Sequence, residues 1–106
     1  MIREVDDKNI LEIIQSIEKK IVIVDYYSNL CNPCKMMEPT LLQLDKLRGN
    51  DLVILKLDVD KYHEFASKIN IESVPTTIFY RNGEEIDRIF GFQILKTIED
   101  RINKLN

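Results

Sequence analysis

The stretch Ile21-Val22-Ile23-Val24-Asp25-Tyr26-Tyr27-Ser28-Asn29-Leu30-Cys31-Asn32-Pro33-Cys34 decides how the chain reads. Its first seven residues are β-branched or aromatic and, apart from Asp25, lack polar alternation. They predict a strand covered on both faces, as at the centre of an α/β sheet. Ser28 to Leu30 break the pattern as a loop. Beyond it Met37, Leu41, Leu44 and Leu47 recur at helical spacing, until Gly49-Asn50 supplies a stop. Pro39 inside that helix removes an amide donor and crowds the preceding turn, which predicts a bend. The two cysteines of the chain fall where the strand hands over to the helix.

Outward from this core the same alternation of short apolar runs and longer amphipathic ones continues. Ile2 to Val5 reads as a short edge strand. From Asp7 onward Ile10, Leu11, Ile13, Ile14 and Ile17 form a helical stripe behind an acidic cap, ending near Lys19-Lys20. Leu52 to Val59 reads as a second buried strand and Tyr62 to Ile69 as a short helix with Phe65 and Ile69 on one side. Thr76 to Tyr80 and Glu85 to Phe90 flank Asn82-Gly83, the dipeptide of a tight β-hairpin. A last helix from about Gln93 carries Ile94, Ile98, Ile102 and Leu105 as its buried stripe. The order is βαβαβαββα, the pattern of a single α/β domain over residues 1–106.

The composition is that of an ordinary globular domain, with 44% hydrophobic and 31% charged residues and only 3 Gly and 3 Pro. The net charge is −3, and the basic residues are scattered rather than gathered on a stripe, which argues against a nucleic-acid partner. Even the longest apolar runs, such as Ile21 to Val24, are far below the roughly 20 residues of a membrane span, and the N-terminus lacks the features of a secretion signal. A cytoplasmic location is therefore expected.

Cys31 and Cys34, separated by Asn32-Pro33, carry the chemistry. Only a thiolate attacks a disulfide, and the unpaired amides and dipole at a helix N-terminus favour negative charge there. Cys31, nearest the loop, is the expected nucleophile. Cys34 comes round one turn beside it, placed to displace a client from a mixed disulfide and close an internal ring. Pro33 lies in the first turn, where its missing donor is not needed. Two buried hydrophobic cysteines without chemistry, or half of a zinc site, are the competing readings, but zinc takes four ligands and the only histidine, His63, lies in another segment. A dimer sharing two pairs leaves a zinc or iron–sulfur site open. His63, Lys35, Asp58, Asp60 and Glu64 read as exposed or solvated charges, and Met36 and Met37 as core or groove fillers.

The block Val24 to Pro39, with Lys56-Leu57-Asp58-Val59-Asp60, Val74-Pro75-Thr76 and Gly91, resembles the thioredoxin family in four segments in the right order. That resemblance implies a mixed five-stranded sheet flanked by four helices. Asp25, a carboxylate in an apolar strand, is expected on physical grounds to have a raised pKa. The resemblance makes it the base behind Cys34, with Lys56 moderating its charge. It also implies a cis bond at Pro75 and a Val74 backbone free to pair with an extended client peptide. Leu30, Pro33, Val74 and Gly91 then rim Cys31.

The implied activity is reduction of client disulfides by a Cys31/Cys34 dithiol. No cofactor is bound, and electrons come indirectly from NADPH through a flavin-containing thioredoxin reductase. A monomer is expected. Three positions depart from the family pattern: Asn32 stands for its usual glycine, and Leu30 and Tyr27 for its tryptophans. Asn32 keeps open a disulfide oxidase or isomerase of less negative potential. A non-catalytic binding module on the same fold is the alternative from a different class.

Overall fold

The computed structural model describes residues Met1–Asn106. Its elements are β1 (Ile2–Glu4), α1 (Ile10–Ser16), β2 (Ile21–Tyr27), α2 (Asn32–Arg48), β3 (Leu52–Asp58), α3 (His63–Lys68), β4 (Thr76–Arg81), β5 (Glu84–Phe90) and α4 (Leu95–Leu105). The strands form one mixed sheet in the order β1-β3-β2-β4-β5. β1, β3 and β2 run parallel, whereas β4 is antiparallel to β2 and β5 to β4. The run without polar alternation is thus the middle strand, and six of its seven residues are buried.

The strand period of two divides the core into two layers. Ile21 and Ile23 of β2, Ile54 of β3 and Phe79 of β4 pack with Met37, Leu41 and Leu44 of α2 and Ile98 and Ile102 of α4. Val22, Val24 and Tyr26 turn the other way, into a cluster with Ile10 and Ile14 of α1 and with Phe65 of α3 against it. In that second layer the Tyr26 and Tyr80 hydroxyls meet at 2.8 Å. Burial raises the pKa of both phenols, so the pair stays neutral.

The hairpin turn forms as its dipeptide predicts. Asn82 and Gly83 both have positive φ, 52° and 83°, which matches the twist of the flanking strands. α2 runs as one element through Pro39, which has no N–H to donate to the carbonyl of Lys35.

The helix boundaries differ from the sequence reading where local bonds compete with the helix. Asp6 Oδ1 accepts from the amides of Lys8 and Asn9, which holds residues 7–9 in a turn and delays α1 to Ile10. Ser16 Oγ donates to the Ile13 carbonyl and Ile17 turns extended, so the helix stops before Lys19-Lys20. Ile94 is not part of the buried stripe of α4. It caps the helix with an extended backbone and is 57% exposed, while Ile98 and Ile102 carry the burial. Leu47 is also exposed, one turn beyond the last buried residue of α2.

The candidate active site

Cys31 is the N-cap residue of α2, and the chain reaches it through a pinned loop. Ser28 Oγ donates to Asp60 Oδ2 at 2.5 Å and accepts from the Leu30 amide at 3.1 Å. Asn29 Nδ2 donates to Asp58 Oδ2, and Asp58 Oδ1 accepts from the amides of Asp60 and Lys61. Asp58 is therefore not the solvated charge its sequence context suggests: it is 6% exposed and ties the loop after β3 to the loop before Cys31. A Ser-Asn pair directly after a strand is the local signal for such side-chain turns.

Cys31 and Cys34 are joined in a disulfide, their Cα atoms 5.2 Å apart. The Cys34 backbone N–H donates to Cys31 Sγ at 3.1 Å, the capping bond that satisfies one of the orphan amides of a helix start. The two sulfurs are not equivalent: Cys31 is half-buried, whereas Cys34 is 3% exposed. Cys34 begins the stripe continued by Met37, Leu41 and Leu44, so it lies on the face of α2 that packs on the sheet.

Asp25 lies on the corresponding face of the sheet, two residues after Ile23 in the alternation that feeds the α2 layer. It is fully buried, and neither carboxylate oxygen has a hydrogen-bond partner in the protein. Burial pushes its pKa from 3.8 up to about 7; Lys56 opposes the rise, and Glu38 and Glu4 add to it.

The sheet register explains these neighbours. Glu4 of β1, Lys56 of β3, Asp25 of β2 and Thr77 of β4 stand in one row across the strands. Lys56 Nζ reaches Glu38 Oε1 of α2 at 3.2 Å and sits 4.4 Å from the centre of the Tyr27 ring. The Tyr27 hydroxyl donates to Glu4 Oε2 at 2.7 Å, closing the polar end of the row.

The segment opposite the helix start is held against it. The Val74–Pro75 bond is cis, and Cys31 Sγ lies 3.7 Å from the Val74 carbonyl oxygen. Gly91 donates its amide to the Pro75 carbonyl at 2.8 Å with φ +81°, a conformation that suits glycine. Val74 thus lies beside Cys31, and Pro75, next in the chain, is tied to Gly91. Leu30, 91% exposed, and the exposed Asn32 and Pro33 stand at the same helix start. The Asn32 amide makes no hydrogen bond to Cys31, whose sulfur accepts instead from Cys34. His63 is exposed on α3, Met37 is buried and Met36 exposed. Sequence reading missed Glu38 and Thr77, since only the strand register and the packing of α2 bring them to Asp25.

Comparison with known proteins agrees with this geometry. The family model Thioredoxin matches residues 1–104. The thioredoxin of Staphylococcus haemolyticus is 38% identical over 101 residues, covering 95% of this chain and 94% of its own. That of Bacillus subtilis is 36% identical over 84 residues, covering 79% and 81%. Among solved structures, a Plasmodium falciparum thioredoxin superposes with a TM-score of 0.86 at 31% identity, covering 98% of this chain and 99% of its own.

Proposed function

From the premise that this chain belongs to the thioredoxin family, we propose that its Cys31/Cys34 pair carries electrons from an NADPH-dependent, flavin-containing thioredoxin reductase to disulfides of client proteins in the cytoplasm. The chain is a thiol–disulfide oxidoreductase of the protein-disulfide reductase kind. Its exchange chemistry needs no bound cofactor, because both electrons travel in the sulfur pair.

The cycle starts from the dithiol. Cys31 thiolate attacks one client sulfur, the client S–S bond breaks, and a Cys31–client mixed disulfide forms with release of the other client sulfur as thiolate. Cys34 then gives its proton to Asp25 through a water and attacks Cys31 Sγ. The Cys31–client bond breaks, the internal disulfide closes, and the second client sulfur leaves as thiolate to be protonated from the medium. Two electrons have passed from the pair to the client.

The roles follow from surroundings. Half-exposed Cys31 at the helix start suits the attacking sulfur, and buried Cys34 on the Asp25 side suits the resolving one. A carboxyl poised at about 7 exchanges protons near neutrality, and Lys56 favours its ionised form. The Val74 backbone beside Cys31 offers strand-like pairing to an extended client, with Leu30, Pro33, Pro75 and Gly91 as an apolar rim and Asn32 at its edge.

The observation that carries the reading is the capping bond from the Cys34 amide to Cys31 Sγ, a donor of the kind that favours negative charge, on the more exposed of the two cysteines. A Cys34→Ser variant incubated with an oxidised client tests it. Mass spectrometry is expected to find the client trapped on Cys31 as a stable mixed disulfide. No adduct, with client reduction continuing at the normal rate, would contradict the assignment.

A further inference from the structure

On the flank of Asp25 away from Lys56 stands Thr77. The β2–β4 register sets the two directly across from each other, and directly opposed residues of an antiparallel pair share a face with Cβ atoms about 4.5 to 5.5 Å apart. Both residues are fully buried. The two Asp25 oxygens and Thr77 Oγ1 are together the buried side-chain oxygens that have no hydrogen-bond partner in the protein.

Thr77 is also out of keeping with its layer. Phe79, two residues along β4, and Ile89, its partner across on β5, both pack in the apolar cluster under α2 and α4. An apolar side chain at position 77 would suit that cluster better, since a buried hydroxyl is tolerated only with a partner. The carboxyl opposite is an acceptor when ionised and a donor when protonated, and a hydroxyl complements either state.

We propose that Thr77 is a positioning residue for Asp25: its hydroxyl donates to one shared water that donates in turn to the ionised carboxylate, and so holds it ready for the Cys34 proton. Once that proton arrives, the shared water accepts from the protonated carboxyl and the Thr77 hydroxyl turns to accept from the water, so no proton is retained on the threonine. The assignment rests on the reading of Asp25 as the proton acceptor. The other charged groups acting on Asp25 are Lys56 from β3, Glu38 from α2 and Glu4 from β1; Cys34 is on the buried face of α2, and β5 brings only Ile89 to the row.

Carboxyl carbon NMR of the oxidised protein tests the hydrogen bond without reference to turnover. Thr77→Val, which keeps the shape and removes the hydroxyl, is expected to lower the acid ionisation constant of Asp25 about threefold to tenfold, while Thr77→Ser stays within about twofold of the native protein. An Asp25 titration unmoved by Thr77→Val, or moved as far by Thr77→Ser, overturns the proposal.

Single-turnover resolution of a preformed mixed disulfide, measured on the acid side of the Asp25 titration, adds the kinetic readout. Thr77→Val is expected to slow it by the same factor, and to have no effect in an Asp25→Asn background. Equal slowing in both backgrounds overturns the positioning role. If Asp25→Asn alone resolves at the native rate, it is the base assignment that fails, while the titration still decides the Thr77 hydrogen bond.

Discussion

Lys56 stands directly opposite Asp25 in the parallel register of β3 and β2, yet its ammonium is engaged elsewhere, 3.2 Å from Glu38 and over the Tyr27 ring. The carboxyl therefore has a cation beside it that lowers its pKa without cancelling the desolvation that raises it. Glu38 pulls in the opposite sense to Lys56, both by its own charge and by drawing the ammonium toward itself.

Opposite shifts follow from the two residues. Lys56→Met removes the favourable charge, so the rise of resolution rate with pH moves to higher pH; Glu38→Gln moves it to lower pH. Glu38 is exposed and screened, so its change is on the scale of about 0.2 to 1 kcal/mol, or up to roughly fivefold in rate on the acid side, and the change at the more buried Lys56 is the larger of the two. A pH–rate profile of mixed-disulfide resolution checks both, and shifts of the same sign would contradict the arrangement.

Asp25 also sets a pH dependence of stability. Its folded pKa of about 7 lies above the unfolded value near 3.8, so between the two the folded protein holds the extra proton. Stability then falls as pH rises through this window, and the cost is fully present above about 7 and absent below about 4. Three pKa units correspond to about 4 kcal/mol. Asp25→Asn is expected to gain most of that at pH 8 and little at pH 4 in denaturant unfolding. A variant no more stable than the native protein at pH 8 would show that the carboxyl is not desolvated.

In the other layer, the Tyr26 and Tyr80 hydroxyls are buried partners. Tyr26→Phe leaves the Tyr80 hydroxyl unpaired and is expected to cost about 1 to 3 kcal/mol, whereas replacing both with Phe costs less than the two single changes summed. Thermal unfolding of the three variants measures the coupling, and additive losses would deny it.

Much of this was legible in the residues. The β-branched and aromatic run Ile21 to Tyr27 announced the central strand, Asn82-Gly83 the hairpin, and the cysteine pair at a strand-to-helix junction the reactive site. What stayed hidden depends on register or on local competition. Thr77 reads as one more β-former in Thr76 to Tyr80 until the β2–β4 pairing sets it against Asp25. Glu38 is a solvated charge until α2 docks over Lys56. Asp58 looked solvated because nothing in its own segment discloses Asn29 as a partner. Ile94 fits a helical period, but the chain enters the helix one residue later, and periodicity cannot see a boundary that fine.

The most direct test of the central claim is the equilibrium of the Cys31/Cys34 pair against defined thiol–disulfide buffers, with the dithiol alkylated and quantified by mass because the chain has no tryptophan to report it. A reductant of the thioredoxin kind has a reduction potential of about −270 mV, and that is the expected result. A value between about −180 and −120 mV, the range of isomerases and strong oxidants, would contradict it, as would a pair that never closes.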